Sequence, residues 1–370
     1  MLHKPAPRTA PRSHIAVVSD RAPQRAELTS ILGEIGPIRR WLPGSAPEDV
    51  TRTAACAVID VDLDSPDPGR GMDLVRSFTE KSAIPIICVL DHSAEQQELN
   101  LRVAQIRALG AAAISRPFTP EDLLEAVRSK DDQAFERKAV ERGGAVGLGV
   151  SVAHGMLTNI FRASRGGRPV PFDQVKVKDV IIIDALRTSG IKAWLDLVRQ
   201  HHNPTYRHSL LVTGVAVAFA QALDMRIEDQ QRLARAGLLH NIGNALLPLD
   251  ILENPDVLTE QETAEIRKHP VLGYELLVRE GGFPEEILAC VRHHHEFLDG
   301  SGYPDGLGGH QIPDLVRIVT IADVFCTLSE QHANKSSLAV GRTLGVMESM
   351  IGKLDGDLLR AFRTIAWDPA

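Results

Sequence analysis

Fourteen consecutive residues, Leu210 to Leu223, are apolar except for Thr213, Gly214 and Gln221. A helix that is hydrophobic all round must be enclosed by other helices. The run is shorter than the roughly 18–20 residues a membrane crossing needs. The chain must therefore supply a helical bundle around it, and with 370 residues it has the length for that bundle and a second domain.

The N-terminal part reads differently. From His14 to about Lys130 short apolar strands alternate with longer amphipathic segments, the signature of a parallel sheet covered by helices. Ile15 to Ser19, Ala55 to Asp60 and Ile84 to Leu90 are the clearest strands. Arg25 to Ile35, Met72 to Lys81, Glu95 to Leu109 and Pro120 to Ser129 read as helices, the last with a Thr119 cap and Pro120 in its first turn. Residues 131–149 are charged and then carry Gly143, Gly144, Gly147 and Gly149, as in a linker or a helix ending at a domain boundary. Beyond 150 only helices are expected. The domains are thus a disordered tail at 1–13, an α/β domain at 14–130, a linker and helical segment at 131–190, and a helical bundle at 191–370.

Apolar residues make up 44% and charged residues 24% of the chain, as in an ordinary globular protein. The net charge of −7 is spread out and argues against a nucleic-acid polymer or an anionic membrane as partner. No span of about 18 apolar residues is apparent, so no transmembrane helix is expected. Cys56, Cys88, Cys290 and Cys326 show no paired spacing and read as buried free thiols of a cytoplasmic protein.

Among fourteen histidines, His208, His240, His269, His293, His294 and His295 fall in the helical half. Ile287, Leu288, Val291, His294 and His295 share one helical stripe, so the last two should be buried and His293 solvated. His240 falls in line with Leu233 and Ala236 or Gly237, and Asp323 with Val316, Val319 and Cys326. A carboxylate on an apolar stripe needs a cation or donors. A lone inward histidine is usually a satisfied core residue, but several of them beside an acid favour a metal.

In the first domain Asp20, Asp60 and Asp91 stand at or just past strand ends, where parallel sheets collect functional side chains. With Ala57-Val58-Ile59-Asp60, Ile84-Pro85-Ile86-Ile87 and Arg116-Pro117-Phe118, residues 14–130 resemble the response-regulator receiver family, which has a flavodoxin-like α/β fold. The resemblance puts Asp60 at the phospho-acceptor, with Asp20 as one of two acids holding magnesium. Ser19 replaces the other acid, Leu90 a hydroxyl residue and Arg116 a lysine, so magnesium is doubtful. Asp60 is either a phosphosite or a strand-end acid capped by backbone, and the losses favour a pseudo-receiver.

In the second domain His240-Asn241-Ile242-Gly243-Asn244, His269-Pro270, His294-His295-Glu296, Asp299-Gly300-Ser301-Gly302-Tyr303-Pro304 and Ile321-Ala322-Asp323 resemble, in order and spacing, the signatures of HD-GYP proteins of the HD superfamily. That resemblance implies an all-α bundle with two divalent metals, iron or manganese, acting as a cyclic di-GMP phosphodiesterase. His208, His240 and Asp323 would serve one metal and His269, His294 and His295 the other. Gly302, Tyr303 and Pro304 would form the substrate loop. Two positions depart from the family: Asn241 stands where a metal-bridging aspartate is expected, and Asn244 where a lysine is. A neutral carbonyl for a carboxylate, and a lost cation, should weaken metal binding and the charge stabilisation of catalysis. A weakened or inactive phosphodiesterase that binds cyclic di-GMP is the leading expectation. The alternatives are an active phosphodiesterase and a scaffold, with a homodimer or a signalling protein as partner.

Overall fold

The computed structural model describes residues 14–33, 37–45, 47–51, 54–62, 68–82, 84–91, 96–170, 172–201, 203–252, 258–331 and 340–365. The expected tail at 1–13 lies outside them. The chain divides into two units, Met1–Ala134 and Phe135–Ala370.

The first unit runs β1 (His14–Val18), α1 (Ala22–Leu32), β2 (Ile38–Trp41), α2 (Pro47–Thr51), β3 (Ala54–Asp62), α3 (Pro68–Lys81), β4 (Ile86–Asp91), α4 (Gln96–Ala108), β5 (Ala112–Ser115) and the start of α5 (Pro120–Arg165). Its five strands are all parallel in the order β2-β1-β3-β4-β5, the flavodoxin-like arrangement. Period-two alternation on β3 divides the core. Ala57, Ile59 and Val61 face one layer of helices, while Cys56 and Val58 face the other. The short strands β2 and β5 were not singled out in the sequence. Each has only four residues, and β2 (Ile38-Arg39-Arg40-Trp41) is an edge strand half exposed to water.

The expected end of the 120–129 helix is corrected. The helix continues through the charged stretch as far as Gly144, whose φ of 52° suits glycine and whose non-helical backbone separates it from a second helix running on to Arg165, so α5 is two helices joined at Gly144. The absence of any membrane-length apolar helix is corrected too. Gly143–Arg165 is long and apolar enough to cross a membrane, its Val, Leu, Ile, Phe and Met residues outweighing the glycines between them, but 61% of its apolar stretch is buried inside the protein, as in a core helix.

The second unit continues with α6 (Phe172–Val198), α7 (Pro204–Ala222), α8 (Ile227–Leu239), a 3-10 turn (Ile242–Leu246), α9 (Leu249–Leu252), α10 (Glu260–Ile266), α11 (His269–Glu280), α12 (Glu285–His293), α13 (Asp314–Gln331), α14 (Val340–Ser349) and α15 (Gly356–Phe362). α7 is the central helix, every residue from Ser209 to Ala220 being buried. Two glycines let neighbours approach it. A Cβ on Gly214 would lie 2.3 Å from the Trp194 ring, and one on Gly237 would lie 2.7 Å from the Thr213 Cα. Trp194 Nε1 donates to the Leu210 carbonyl at 2.9 Å, satisfying the only polar atom of its buried ring. All four cysteines are free and buried.

Candidate metal centre

The candidate residues of the helical unit come from the second turn of one helix, the middle of another and the ends of three. His208 lies on α7 and Asp323 on α13, while His240 caps α8, His269 opens α11 and His294 caps α12. The expectation that His294 and His295 continue the stripe of one helix is corrected: α12 ends at His293, and both follow its last turn. His293 is not simply solvated, since its Nε2 meets Asp305 at 2.9 Å.

Helix ends matter here because their last carbonyls lack intrahelical partners. His240 Nδ1 donates to the Gly237 carbonyl at 2.7 Å, and His269 Nδ1 to that of Ile266 at 2.8 Å. His294 Nδ1 donates to those of Cys290 and Val291, both at 3.1 Å. Each ring thus spends its proton on a helix-end carbonyl and turns an Nε2 lone pair inward, the arrangement typical of metal-binding imidazoles.

The ligand atoms of His208, His240 and Asp323 lie within 4.8 Å of one another, and so do those of His269, His294 and His295. The two groups adjoin, with the His240 and His294 ring centres 5.0 Å apart. Asp323 Oδ1 receives His208 Nε2 at 2.8 Å, and its Oδ2 is 3.4 Å from His295 Nδ1.

Gly243 allows the two groups to meet. A Cβ there would lie 1.9 Å from the His269 carbonyl oxygen, so only glycine lets the 3-10 turn carrying Asn241 sit against the start of α11. Gly302 does the same for the loop that carries Tyr303, where a Cβ would come within 2.4 Å of the Glu296 Cα. Tyr303 stacks on His295, ring centres 4.8 Å apart, and the Arg267 guanidinium lies 5.1 Å from the centre of the Tyr303 ring.

The electrostatics are those of a site built for cations. Burial lowers the basicity of His208, but hydrogen bonds to Asp323 and Glu330 more than reverse this and push its pKa up to about 10. Burial dominates elsewhere and lowers His240 to about 4 and His269 to about 3, while His294 and His295 are lowered as well. Burial alone would raise the Asp323 carboxyl, but the His208 hydrogen bond and the neighbouring imidazoles hold it well below the usual carboxylate range.

Two observations test whether a metal fits. The His269 and His294 Nε2 atoms face each other at 3.1 Å, although both rings already donate from Nδ1 to carbonyls. Two lone pairs so placed repel unless a cation lies beside both. The buried pair His154 and His201 is the contrast. Its Nε2 atoms are 2.9 Å apart, but His201 Nδ1 accepts from the Asn203 N–H at 3.1 Å and His154 Nδ1 meets Glu136 at 2.8 Å, so one proton satisfies both rings. Second, among the described residues no hydrogen-bond partner meets the buried His240 Nε2, Asn241 Oδ1 or Asn244 Oδ1. Each such orphan costs about 1–3 kcal/mol, which a bound cation can offset where it reaches the atom. The residues fit, and an imidazole-rich set with one carboxylate suits a first-row transition metal better than magnesium or calcium.

In the sequence Glu296 stands out only as part of the His294-His295-Glu296 signature, without a role, and Glu330 is not singled out. Glu296, almost fully buried, accepts from the backbone N–H groups of Asp305 (2.6 Å), Gly306 (3.0 Å) and Leu307 (3.1 Å) and so ties down the loop after Tyr303. Glu330 accepts from His208 Nδ1 at 2.7 Å and from Arg207 Nε at 2.9 Å. In the α/β unit Asp60 is buried at the sheet's carboxyl end. It accepts from Ser19 Oγ at 2.7 Å and from Arg21 through Nε at 3.0 Å and through a second guanidinium nitrogen, with Arg116 Nη1 at 3.4 Å. Asp20 is exposed.

Residues 192–358 match the HD domain family. A cyclic di-GMP phosphodiesterase of Pseudomonas aeruginosa is 30% identical over 217 residues, 57% of this chain and 51% of that protein. The cyclic di-GMP phosphodiesterase response regulator RpfG of Xanthomonas campestris is 36% identical over 144 residues, 39% of this chain and 38% of the other. A 3'3'-cGAMP-specific phosphodiesterase of Vibrio cholerae is 34% identical over 156 residues, 42% of this chain and 36% of the other. The chain spans about half the length of the first of these relatives and less than two fifths of the others. The match with the HD domain family lies within the helical unit, and the first unit has the flavodoxin-like α/β arrangement.

Proposed function

We propose that this chain is a cyclic dinucleotide signalling protein whose metal centre binds cyclic di-GMP and hydrolyses it slowly or not at all. The observation that carries this reading is the pair of buried amide oxygens without a hydrogen-bond partner among the described residues, on Asn241, which follows His240 in the chain, and on Asn244, neutral groups at positions where an anion and a cation would serve phosphodiester chemistry. The relatives, named as phosphodiesterases of cyclic dinucleotides, support the substrate class.

His208, His240 and Asp323 would hold one divalent ion, iron or manganese, and His269, His294 and His295 a second. When bound, such ions neutralise phosphate oxygens and make a water nucleophilic at neutral pH. The chain's own residues do the rest. Helix-end carbonyls fix the imidazole tautomers, Tyr303 and Pro304 border the site from the Glu296-anchored loop, and Arg267 brings a cation beside Tyr303. The Asn241 carbonyl can accept but carries no charge, so it neither draws a second ion strongly nor assists proton removal from water.

The test is anaerobic turnover of cyclic di-GMP and 3'3'-cGAMP with ferrous iron or manganese, comparing the natural chain with Asn241→Asp and measuring binding alongside. The natural chain should bind the dinucleotide and turn it over at least ~100-fold more slowly than the variant, the loss expected for one oriented charge. Equal, metal-dependent rates would support the second reading, a competent phosphodiesterase with Asn241 as a neutral ligand, which the intact set of five histidines and Asp323 favours. Neither binding nor turnover in either protein would leave a scaffold.

A further inference from the structure

We propose that Glu330 is a positioning residue of the metal centre: it holds His208 as a ligand and, with Asp323, gathers the centre's negative charge on the His208, His240 and Asp323 side, so that this side takes the first ion. The inference rests on the metal-centre reading above. Glu330 follows Asp323 by seven residues on α13, two helical turns, so both carboxylates lie on the same face of the helix. That face meets α7. Asp323 Oδ1 lies 2.8 Å from His208 Nε2, and Glu330 Oε2 lies 2.7 Å from Nδ1 of the same ring, so a single imidazole is held between two carboxylates.

His208 is unlike the neighbouring rings in this respect. His240, His269 and His294 lean on neutral backbone carbonyls, whereas His208 leans on an acid. A carboxylate behind an imidazole fixes its orientation and makes the other nitrogen a stronger donor to a metal. Glu330 is itself held. Its Oε1 accepts from Arg207 Nε at 2.9 Å, and Arg207 is anchored in turn by donating from Nη1 to the His201 carbonyl at 3.2 Å, so the acid cannot swing away without losing its bonds to Arg207 and His208.

The charge of the centre is therefore lopsided. One group has Asp323 as a ligand and Glu330 behind His208, and the other has three imidazoles, with Asp323 Oδ2 reaching only to 3.4 Å from His295 Nδ1. An aspartate at position 241 could have shared its charge between the two groups, but the residue is asparagine.

The experiment is calorimetric titration of manganese(II) into the metal-free full chain under anaerobic conditions, with retained metal counted by mass spectrometry after gel filtration. The natural chain should show one tight site and a second at least ~10-fold weaker. Glu330→Gln, which keeps the shape and removes the charge, should weaken the tight site by roughly 10–100-fold and leave the weak one unchanged. His269→Ala should abolish only the weak site. Arg207→Gln serves as the structural control, since it loosens the same corner but leaves a carboxylate behind His208, and it should keep the tight site within a few-fold. Equal tight-site affinity in the natural chain and Glu330→Gln overturns the proposal, as do two equal sites in the natural chain or equal losses in Glu330→Gln and Arg207→Gln. No manganese uptake by the natural chain would instead overturn the metal-centre reading on which it rests.

Discussion

A carboxylate buried at the end of a parallel strand must find positive charge, and Asp60 finds it in a side chain. Arg21 grips both oxygens through its guanidinium, and Ser19 donates to one of them. In a phospho-accepting site this negative charge is left for magnesium and the incoming phosphoryl group; here a covalently attached cation has taken the place. A small-molecule phosphodonor with magnesium should therefore leave the natural chain unmodified by intact mass. Arg21→Ala should cost the α/β unit about 1–3 kcal/mol in denaturant melts, because it leaves the buried carboxylate only the Ser19 hydroxyl and the longer Arg116 contact. Modification of the natural chain at Asp60 would show that Arg21 releases the carboxylate on demand. Asn241 and Asn244 are the contrast: their buried amide oxygens meet no hydrogen-bond partner among the described residues.

Among elements, the loop from Asp299 to Leu307 shows how one side chain can organise a segment without regular secondary structure. The Glu296 carboxylate gathers three consecutive backbone N–H groups, and Gly302 lets the loop lie directly on the turn that follows α12. Glu296→Ala should free this loop while leaving the histidines on their helices, so calorimetry should show cyclic di-GMP affinity falling about tenfold or more with manganese affinity little changed. Equal loss of both would mean that the loop and the metal centre are one cooperative element. The helices behind the site were legible in the sequence because their apolar stripes repeat, and the stripe arguments carried His240 and Asp323 inward correctly. They also placed His294 inside, but they put His294 and His295 on a helix that has already ended, because periodicity persists past the point where hydrogen bonding stops and a helix end is invisible to it. The tautomer-setting carbonyls of Gly237, Ile266 and Val291 were hidden for the same reason. Glu330 was hidden because its partner His208 is 122 residues away in the chain. In the α/β unit the buried strands stood out as continuous apolar runs, whereas β2, with two exposed arginines, did not.

At the scale of the whole helical unit, the metal-free fold is built around imidazoles that must stay neutral and one that prefers to be charged, and this gives its stability a definite pH dependence. His240 and His269 have folded pKa values lowered by burial to about 4 and about 3, against about 6.5 in an unfolded chain. Below about pH 6.5 the unfolded chain binds protons that the folded one refuses, so stability falls with pH until these groups titrate in the fold. His208 works in the opposite direction. Its folded pKa is raised to about 10, so its contribution is complete below about pH 6.5 and fades as pH rises toward 10. The melting temperature of the metal-free chain should therefore peak between about pH 6 and 7.5 and decline on both sides. His208→Gln should flatten the alkaline limb and leave the acid limb in place. A bound divalent ion stabilises the folded state by mass action and needs its imidazoles deprotonated, so saturating manganese should raise the melting temperature at pH 7.5 and lose that effect by pH 5. If manganese gave the same increment at both pH values, it would be bound elsewhere than on these histidines, because only ligands that compete with protons couple the two.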